Sequence, residues 1–153
     1  TTFMQCFSGC EALGAIPAGL FDDCTQVEVF QSVFMDCVAL KSIPEGLFDK
    51  HPNAVKFNFT FADCTGIESV PVSLFDNCRK ATAFTQTFRA CSARQGESPY
   101  TLVDGTKVHL YERSKYPDAF EKAPSSSTNG TFRACTGLAD YEKMAADYPK
   151  WVK

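Results

Sequence analysis

Residues 15–24 read AIPAGLFDDC, residues 42–51 SIPEGLFDKH and residues 69–78 SVPVSLFDNC, so one phrase recurs at a fixed interval of 27 residues. A period of this size marks units that cannot bury their apolar face alone and do so by stacking on copies of themselves. Adding 27 along the chain extends the register well beyond the quoted phrase. Phe3, Phe30, Phe57 and Phe84 form one column, Phe7, Phe34, Phe61 and Phe88 a second, and Phe21, Phe48 and Phe75 a third, together 11 of the 14 phenylalanines. Leu13, Leu40 and Ile67 follow the same step, as do Ile16, Ile43 and Val70, the prolines 17, 44 and 71, and Leu20, Leu47 and Leu74.

Within one unit the apolar residues fall about every three positions, as in Phe7, Cys10, Leu13 and Ile16. That step is shorter than the period of about 3.6 of an α-helix and far from the alternation of a strand. Short arcs of coil, each turning a side chain inward, fit it, and the proline after each Ile or Val bars a helix from running through. Each Phe then lies against the Phe of the coil above and below.

Composition narrows the function classes. A chain of 153 residues with 44% hydrophobic content has the length of about one domain and enough apolar surface for a continuous core. A formal net charge of −3, with no block of like charges, provides no general attraction for nucleic acid or anionic lipid. No apolar run reaches the roughly 18 residues of a membrane span, and TTFMQCFSGC at residues 1–10 lacks the regions of a signal peptide. The absence of an initiator Met and an opening partway through a repeat lead us to expect a segment cut from a longer protein.

The wording of the repeat resembles the leucine-rich repeats, whose period window of 20–29 residues includes this one. LKSIPEGLFDK at residues 40–50 is similar to the stretch that joins successive leucine-rich coils. TFRACTGL at 131–138 and SVFMDCVAL at 32–40 resemble the Phe-x-x-Cys-x-x-Leu signature of the BspA-like bacterial surface branch, although these units are a few residues longer than that branch's usual coil. The resemblance covers about residues 3–93 and resumes at 131. It implies an α/β fold, a right-handed solenoid of 27-residue coils with a short parallel strand per coil, ended by a C-terminal cap. It also implies a secreted or cell-surface bacterial location and engagement of host or neighbouring-cell surfaces.

The eight cysteines allow two readings. An even count is compatible with a disulfide framework, with Cys6 and Cys10 as one local pair. However, Cys10, Cys37, Cys64 and Cys91 occupy one repeated position, joined by Cys135, and equivalent side chains on parallel coils point the same way rather than at each other. Small buried thiols are the favoured state, and in the family resembled the matching Asn or Cys satisfies backbone groups at a turn. A further column, Cys24, His51 and Cys78, has zinc-ligand types, but three successive coils hold its ends about 10 Å apart, too far for two sulfurs on one zinc. We expect no metal there and a polar stand-in at a partly exposed turn for His51. His109 has no neighbouring Ser or Cys motif, and Asp22, Asp49 and Asp76 lack calcium-loop spacing and read as turn or capping residues. We therefore expect no catalysis and no cofactor. The sequons at Asn58 and Asn129 matter only in a eukaryotic secretory pathway.

The repeat breaks after Cys91, and Phe132, Cys135 and Leu138 resume it 44 residues after their counterparts, one period plus 17. We divide the chain into residues 1–93 as the repeat array, 94–128 as an insertion, and 129–153 as a last partial repeat with its cap. YTLVDGTKVHLY at 100–111 carries Asp-Gly between two β-prone runs, a hairpin signal. The insertion is either part of the cap or a ligand-binding excursion. YEKMAADYPKWVK at 141–153 fits a short amphipathic closing helix, with Trp151 available to cover the core.

A solenoid surface varies without disturbing its core, which suits protein or glycan recognition, so a binding or adhesion module is the first reading. The alternative is a structural spacer or assembly subunit of a larger extracellular complex, with self-association through its ends. The varying positions between the two Phe columns, Gln31, Ser32, Asn58, Phe59, Thr85 and Gln86, are the candidate binding residues. Phe59 either packs locally or offers a ring to a sugar or a partner's pocket.

Overall fold

The computed structural model describes residues 1–91 and 95–153, so the boundary drawn between residues 93 and 94 lies outside the described residues. Each repeat closes one turn of a stack, and isolated parallel bridges tie equivalent residues of successive turns: Thr2 to Val29, Val29 to Lys56, Lys56 to Ala83, and on another arc Ser42 to Ser69. Alternate peptides carry the ladder. Phe30, Ser32, Phe34 and Asp36 donate their N–H groups to the carbonyls of Lys56, Asn58, Thr60 and Ala62 at 2.8–2.9 Å. Phe57, Phe59, Phe61 and Asp63 repeat this toward Ala83, Thr85, Thr87 and Arg89.

Among the described residues no coil contains a helix or a multi-residue strand, which departs from the α/β coils that the resemblance implies. The cause is conformational. Two columns take positive φ through successive coils, Gln5, Ser32, Phe59 and Gln86 in one and Gly9, Asp36, Asp63 and Ala90 in the other, and Gly19 and Gly46 add a third position in the first two coils. Placing a left-handed residue every four positions bends the arc before an extended run can form, at a steric cost that the inter-coil hydrogen bonds offset.

The intervening carbonyls are satisfied by side chains. The Thr60, Thr87 and Thr131 hydroxyls donate to the carbonyls of Phe30, Phe57 and Phe84 in the preceding coil at 2.7–2.8 Å. Cys37, Cys64, Cys91 and Cys135 donate from Sγ to the carbonyls of Phe7, Phe34, Phe61 and Phe88 at 2.8–3.1 Å. Burial pushes the Cys64 and Cys135 thiols up to about 12, which keeps the proton each needs as a donor. All eight cysteines are free, and Cys6, Cys10 and Cys24 are exposed.

Aromatic columns fill the interior. Phe7, Phe34, Phe61, Phe88 and Phe132 stack with successive centroids 5.4–5.6 Å apart and planes within 8°. The Phe30, Phe57, Phe84 column runs beside it at 5.6 and 5.9 Å, and Phe21, Phe48 and Phe75 form the third at 6.5 and 5.9 Å.

His51 lies in this interior with 0% exposure, not at a partly exposed turn. Its ring meets Phe30 edge-on at 5.0 Å, and neither ring nitrogen has a hydrogen-bond partner among the described residues. Burial lowers its pKa below the usual histidine value. A lowered folded-state pKa means that the unfolded chain binds the proton first. Stability is therefore unaffected above about pH 6.5 and falls as pH drops below it, by at most about 1.4 kcal/mol per pH unit. We expect His51→Cys, which restores the residue of Cys24 and Cys78 in that column, to flatten this slope in denaturant titrations at about pH 7.5, 6 and 5. An unchanged slope would mean that the imidazole is not the group responsible.

The stack ends on the inserted and closing segments. Tyr100–Val103 (β1) pairs antiparallel with Thr106–His109 (β2), and Asp104 and Gly105 both take positive φ, the turn that the Asp-Gly pair predicts. A 3₁₀ helix follows over Leu110–Lys115, then a seven-residue helix at Tyr141–Asp147 (α1) and a 3₁₀ turn at Pro149–Trp151. Trp151, 2% exposed, covers Phe84 and Phe132 at 6.5 Å each. The carbonyls of Lys150 and Trp151 accept the N–H groups of Gly130 and Phe132 at 2.7 and 2.8 Å, so the closing segment takes the hydrogen bonds of a further coil. Gly130 permits this approach because a Cβ there would lie 2.8 Å from the Lys153 carbonyl.

Candidate functional site

Among the described residues we consider two places where a ligand could be met. The first is the coil face with the six residues selected from sequence. Gln31, Asn58, Phe59, Thr85 and Gln86 are partly exposed there, in columns one coil apart. Ser32 is only 5% exposed, which corrects its reading as a solvent-facing position. Several of the others are already engaged: Asn58 Oδ1 accepts the Thr85 N–H at 2.9 Å, Thr85 Oγ1 donates to the Ser127 carbonyl at 3.3 Å, and Arg89 bridges Gln86 Oε1 and the Asp63 carboxylate. Of the partly exposed candidates Gln31 and Phe59 make no side-chain hydrogen bond among the described residues, and the buried Ser32 side chain makes none either.

The second place lies between β2, the following 3₁₀ helix and α1. It is a concave pocket of about 470 Å³ lined by residues that include Glu97, Lys107, His109, Glu112, Asp140 and Lys143. Its floor is a buried network. Asp140 takes the N-cap position of α1, yet its carboxylate does not cap the helix. Instead it accepts the Ser98 N–H at 2.9 Å, the Ser98 hydroxyl, and the Tyr111 hydroxyl at 3.0 Å. His109 Nδ1 lies 2.9 Å from Ser98 Oγ, and its ring stacks on Tyr111 at 5.1 Å. Burial, followed by the Asp140 charge, raises the Tyr111 hydroxyl pKa, so it is a fixed donor. Burial tends to raise Glu112, but the Lys143 hydrogen bond and the His109 N–H outweigh it and hold that carboxyl below its usual value.

Serine, histidine and aspartate thus meet here, although nothing local in the sequence joins residues 98, 109 and 140. Their geometry does not activate a nucleophile. Ser98 has 0% exposure, its hydroxyl binds Asp140 directly, and serine and aspartate both address Nδ1, whereas a relay needs the two ring nitrogens separately. Among the described residues no group of three or more His, Cys, Asp or Glu side chains is placed to hold a metal.

The insertion also terminates the third aromatic column through Arg113, which sequence reasoning did not identify. In the preceding coil Cys78 Sγ reaches the carbonyls of Phe48 and His51 at 3.7 Å. One step on, the Arg113 guanidinium donates to the carbonyls of Phe75 and Cys78 at 3.0 and 3.1 Å and lies 4.5 Å over the Phe120 ring. Burial lowers its pKa to about 10, which leaves it charged at neutral pH. Arg113 occupies the place that a further coil's cysteine would fill.

No family model matches the chain, and no curated protein matches it. Among solved structures, the T. pallidum leucine rich repeat protein shares 13% identity at a TM-score of 0.38, over 90% of this chain and 59% of that one. The TLR13-ssRNA13 complex shares 12% identity at a TM-score of 0.21, over 42% of this chain and 12% of that one. This chain therefore spans little more than half the length of the first of them. At these levels of similarity the architecture rests on the chain's own hydrogen bonds.

Proposed function

We propose that the chain is a non-catalytic binding module of a secreted or cell-surface bacterial protein of the BspA-like leucine-rich-repeat type. In this reading it recognises protein or glycan through the outer face of its stacked coils. One observation carries the reading: the Phe, Thr and Cys columns and their hydrogen bonds repeat from coil to coil, while the partly exposed positions 31, 58 and 85 beside them change identity. A rigid frame with free variation on one face is what recognition requires. Panels of immobilised proteins and glycans, probed with the intact chain, should contain a ligand whose capture falls at least tenfold on Gln31→Ala with Phe59→Ala, with unfolding unchanged. Undiminished capture by that variant would remove the coil face from the reading.

The second reading is assembly into a larger complex, through apolar residues of the first coil that more chain or a partner would cover. Phe3 and Phe7 are half-buried there and Met4 is 51% exposed. A mass in solution that rises with concentration, measured by light scattering, would move the weight to it.

A further inference from the structure

The pocket between β2 and α1 has walls in which each lysine is paired with a glutamate, and this selects its ligand. On one side Lys107 Nζ binds both oxygens of Glu97 at 3.0 and 3.1 Å, and on the other Lys143 Nζ binds Glu112 Oε1 at 2.9 Å. Each ammonium also lies near an aromatic ring, Lys107 at 4.8 Å from Tyr100 and Lys143 at 5.8 Å from Tyr111. Asp140 at the floor already accepts three hydrogen bonds from Ser98 and Tyr111. His109, its side chain 8% exposed, spends Nδ1 on Ser98, whereas among the described residues Nε2 has only Glu97 at 4.0 Å, beyond hydrogen-bond reach.

An anion could accept from the spare ammonium protons only beside Glu97 and Glu112, and a cation could reach the carboxylates only beside Lys107 and Lys143, so either ion meets a like charge at close range. A neutral hydroxyl avoids both repulsions. It can donate to a free carboxylate lone pair and accept from one of the ammonium protons left over, since Lys107 has spent two of three and Lys143 one. Adjacent hydroxyls on a ring present that pairing of donor and acceptor, and a cavity of about 470 Å³ lies in the range that small ligands fill. We infer that the pocket formed by Glu97, Lys107, His109, Glu112 and Lys143 binds a neutral saccharide of one or two sugar units, with His109 Nε2 hydrogen-bonding a hydroxyl. This rests on the binding-module reading but relocates recognition from the coil face to the insertion.

The two histidines supply an internal control, because His51 is sealed in the core. The intact chain is titrated with glucose, galactose, mannose, N-acetylglucosamine, lactose, glucosamine and glucuronate while the imidazole Cε1–H resonances are followed by NMR. At least one neutral sugar should shift His109 saturably and leave His51 still, and should bind more tightly than glucosamine and glucuronate. Lys143→Met and Glu97→Gln, both at solvent-accessible side chains, should each weaken that binding about tenfold or more, with the Lys143→Met spectrum otherwise native. A still His109 across the panel, tighter binding of a charged sugar, or full binding by both variants would each overturn the inference. If His109 stays still while a panel ligand is lost on Gln31→Ala with Phe59→Ala, the pocket fails and the coil-face reading stands.

Discussion

Phe61→Ala should destabilise the chain by about 3–5 kcal/mol, the range for deleting a fully buried aromatic ring. Phe61 has 0% exposure and lies between Phe34 at 5.5 Å and Phe88 at 5.6 Å, with Phe48 at 6.3 Å. Truncation removes two stacked contacts at once. The cavity cannot collapse cheaply, because the coils on either side are held at a fixed spacing by the Phe34 N–H to Thr60 and Phe61 N–H to Thr87 hydrogen bonds. Chemical denaturation followed by circular dichroism measures the loss. Phe7→Ala, at the half-buried end of the same column, should cost distinctly less. Equal effects at the two positions would show that the column does not act as a stack.

Deleting residues 139–153 should have a comparable effect through a different mechanism. The cut uncovers Phe132 and Leu138, each forfeiting about 1.5–3 kcal/mol of burial. It also removes the Lys150 and Trp151 carbonyls that accept from Gly130 and Phe132, at about 0.5–1.5 kcal/mol for each hydrogen bond exchanged for one to water. Trp151→Ala separates the two contributions, since it removes the ring from Phe84 and Phe132 but leaves the carbonyls in place. We expect the deletion to lower the unfolding midpoint more than Trp151→Ala does and to raise the mass seen by light scattering through the bared coil. A truncated chain that stays monomeric and melts like the intact one would show that residues 139–153 are not a cap.

Much of this architecture was legible in the sequence because a repeat states each contact several times. The Phe columns, the cysteine column and the Asp-Gly turn each translate into an observed stack, hydrogen-bond ladder or hairpin. What the repeat did not convey has physical reasons. Ser32 varies among its column mates not because it faces water but because its position demands a positive φ, a backbone requirement met by unlike side chains, as in Gln5, Phe59 and Gln86. Arg113 and the Ser98, His109, Asp140 network occur once and are assembled from residues up to 42 apart, so no spacing rule reaches them. Asp140 stands at the N-cap position of α1, but tertiary contact with Ser98 and Tyr111 redirects its carboxylate, so its role follows from the fold and not from its local position. His51 looked like an exposed polar residue because a histidine without a partner is costly to bury.

The thiols of the carbonyl ladder give the coils individual chemical addresses. Cys37, Cys64, Cys91 and Cys135 belong to four successive turns, and each can meet an alkylating reagent only when its own turn swings open, because the protonated, buried sulfur is inert in place. Cys10, exposed in the first turn, reacts without any opening and calibrates the intrinsic rate. Residue-resolved labelling kinetics would therefore read the opening free energy of each turn along the axis. Steadily slower labelling toward the middle would mean fraying from the ends, whereas one common rate for the four would mean that the stack opens as a single cooperative unit.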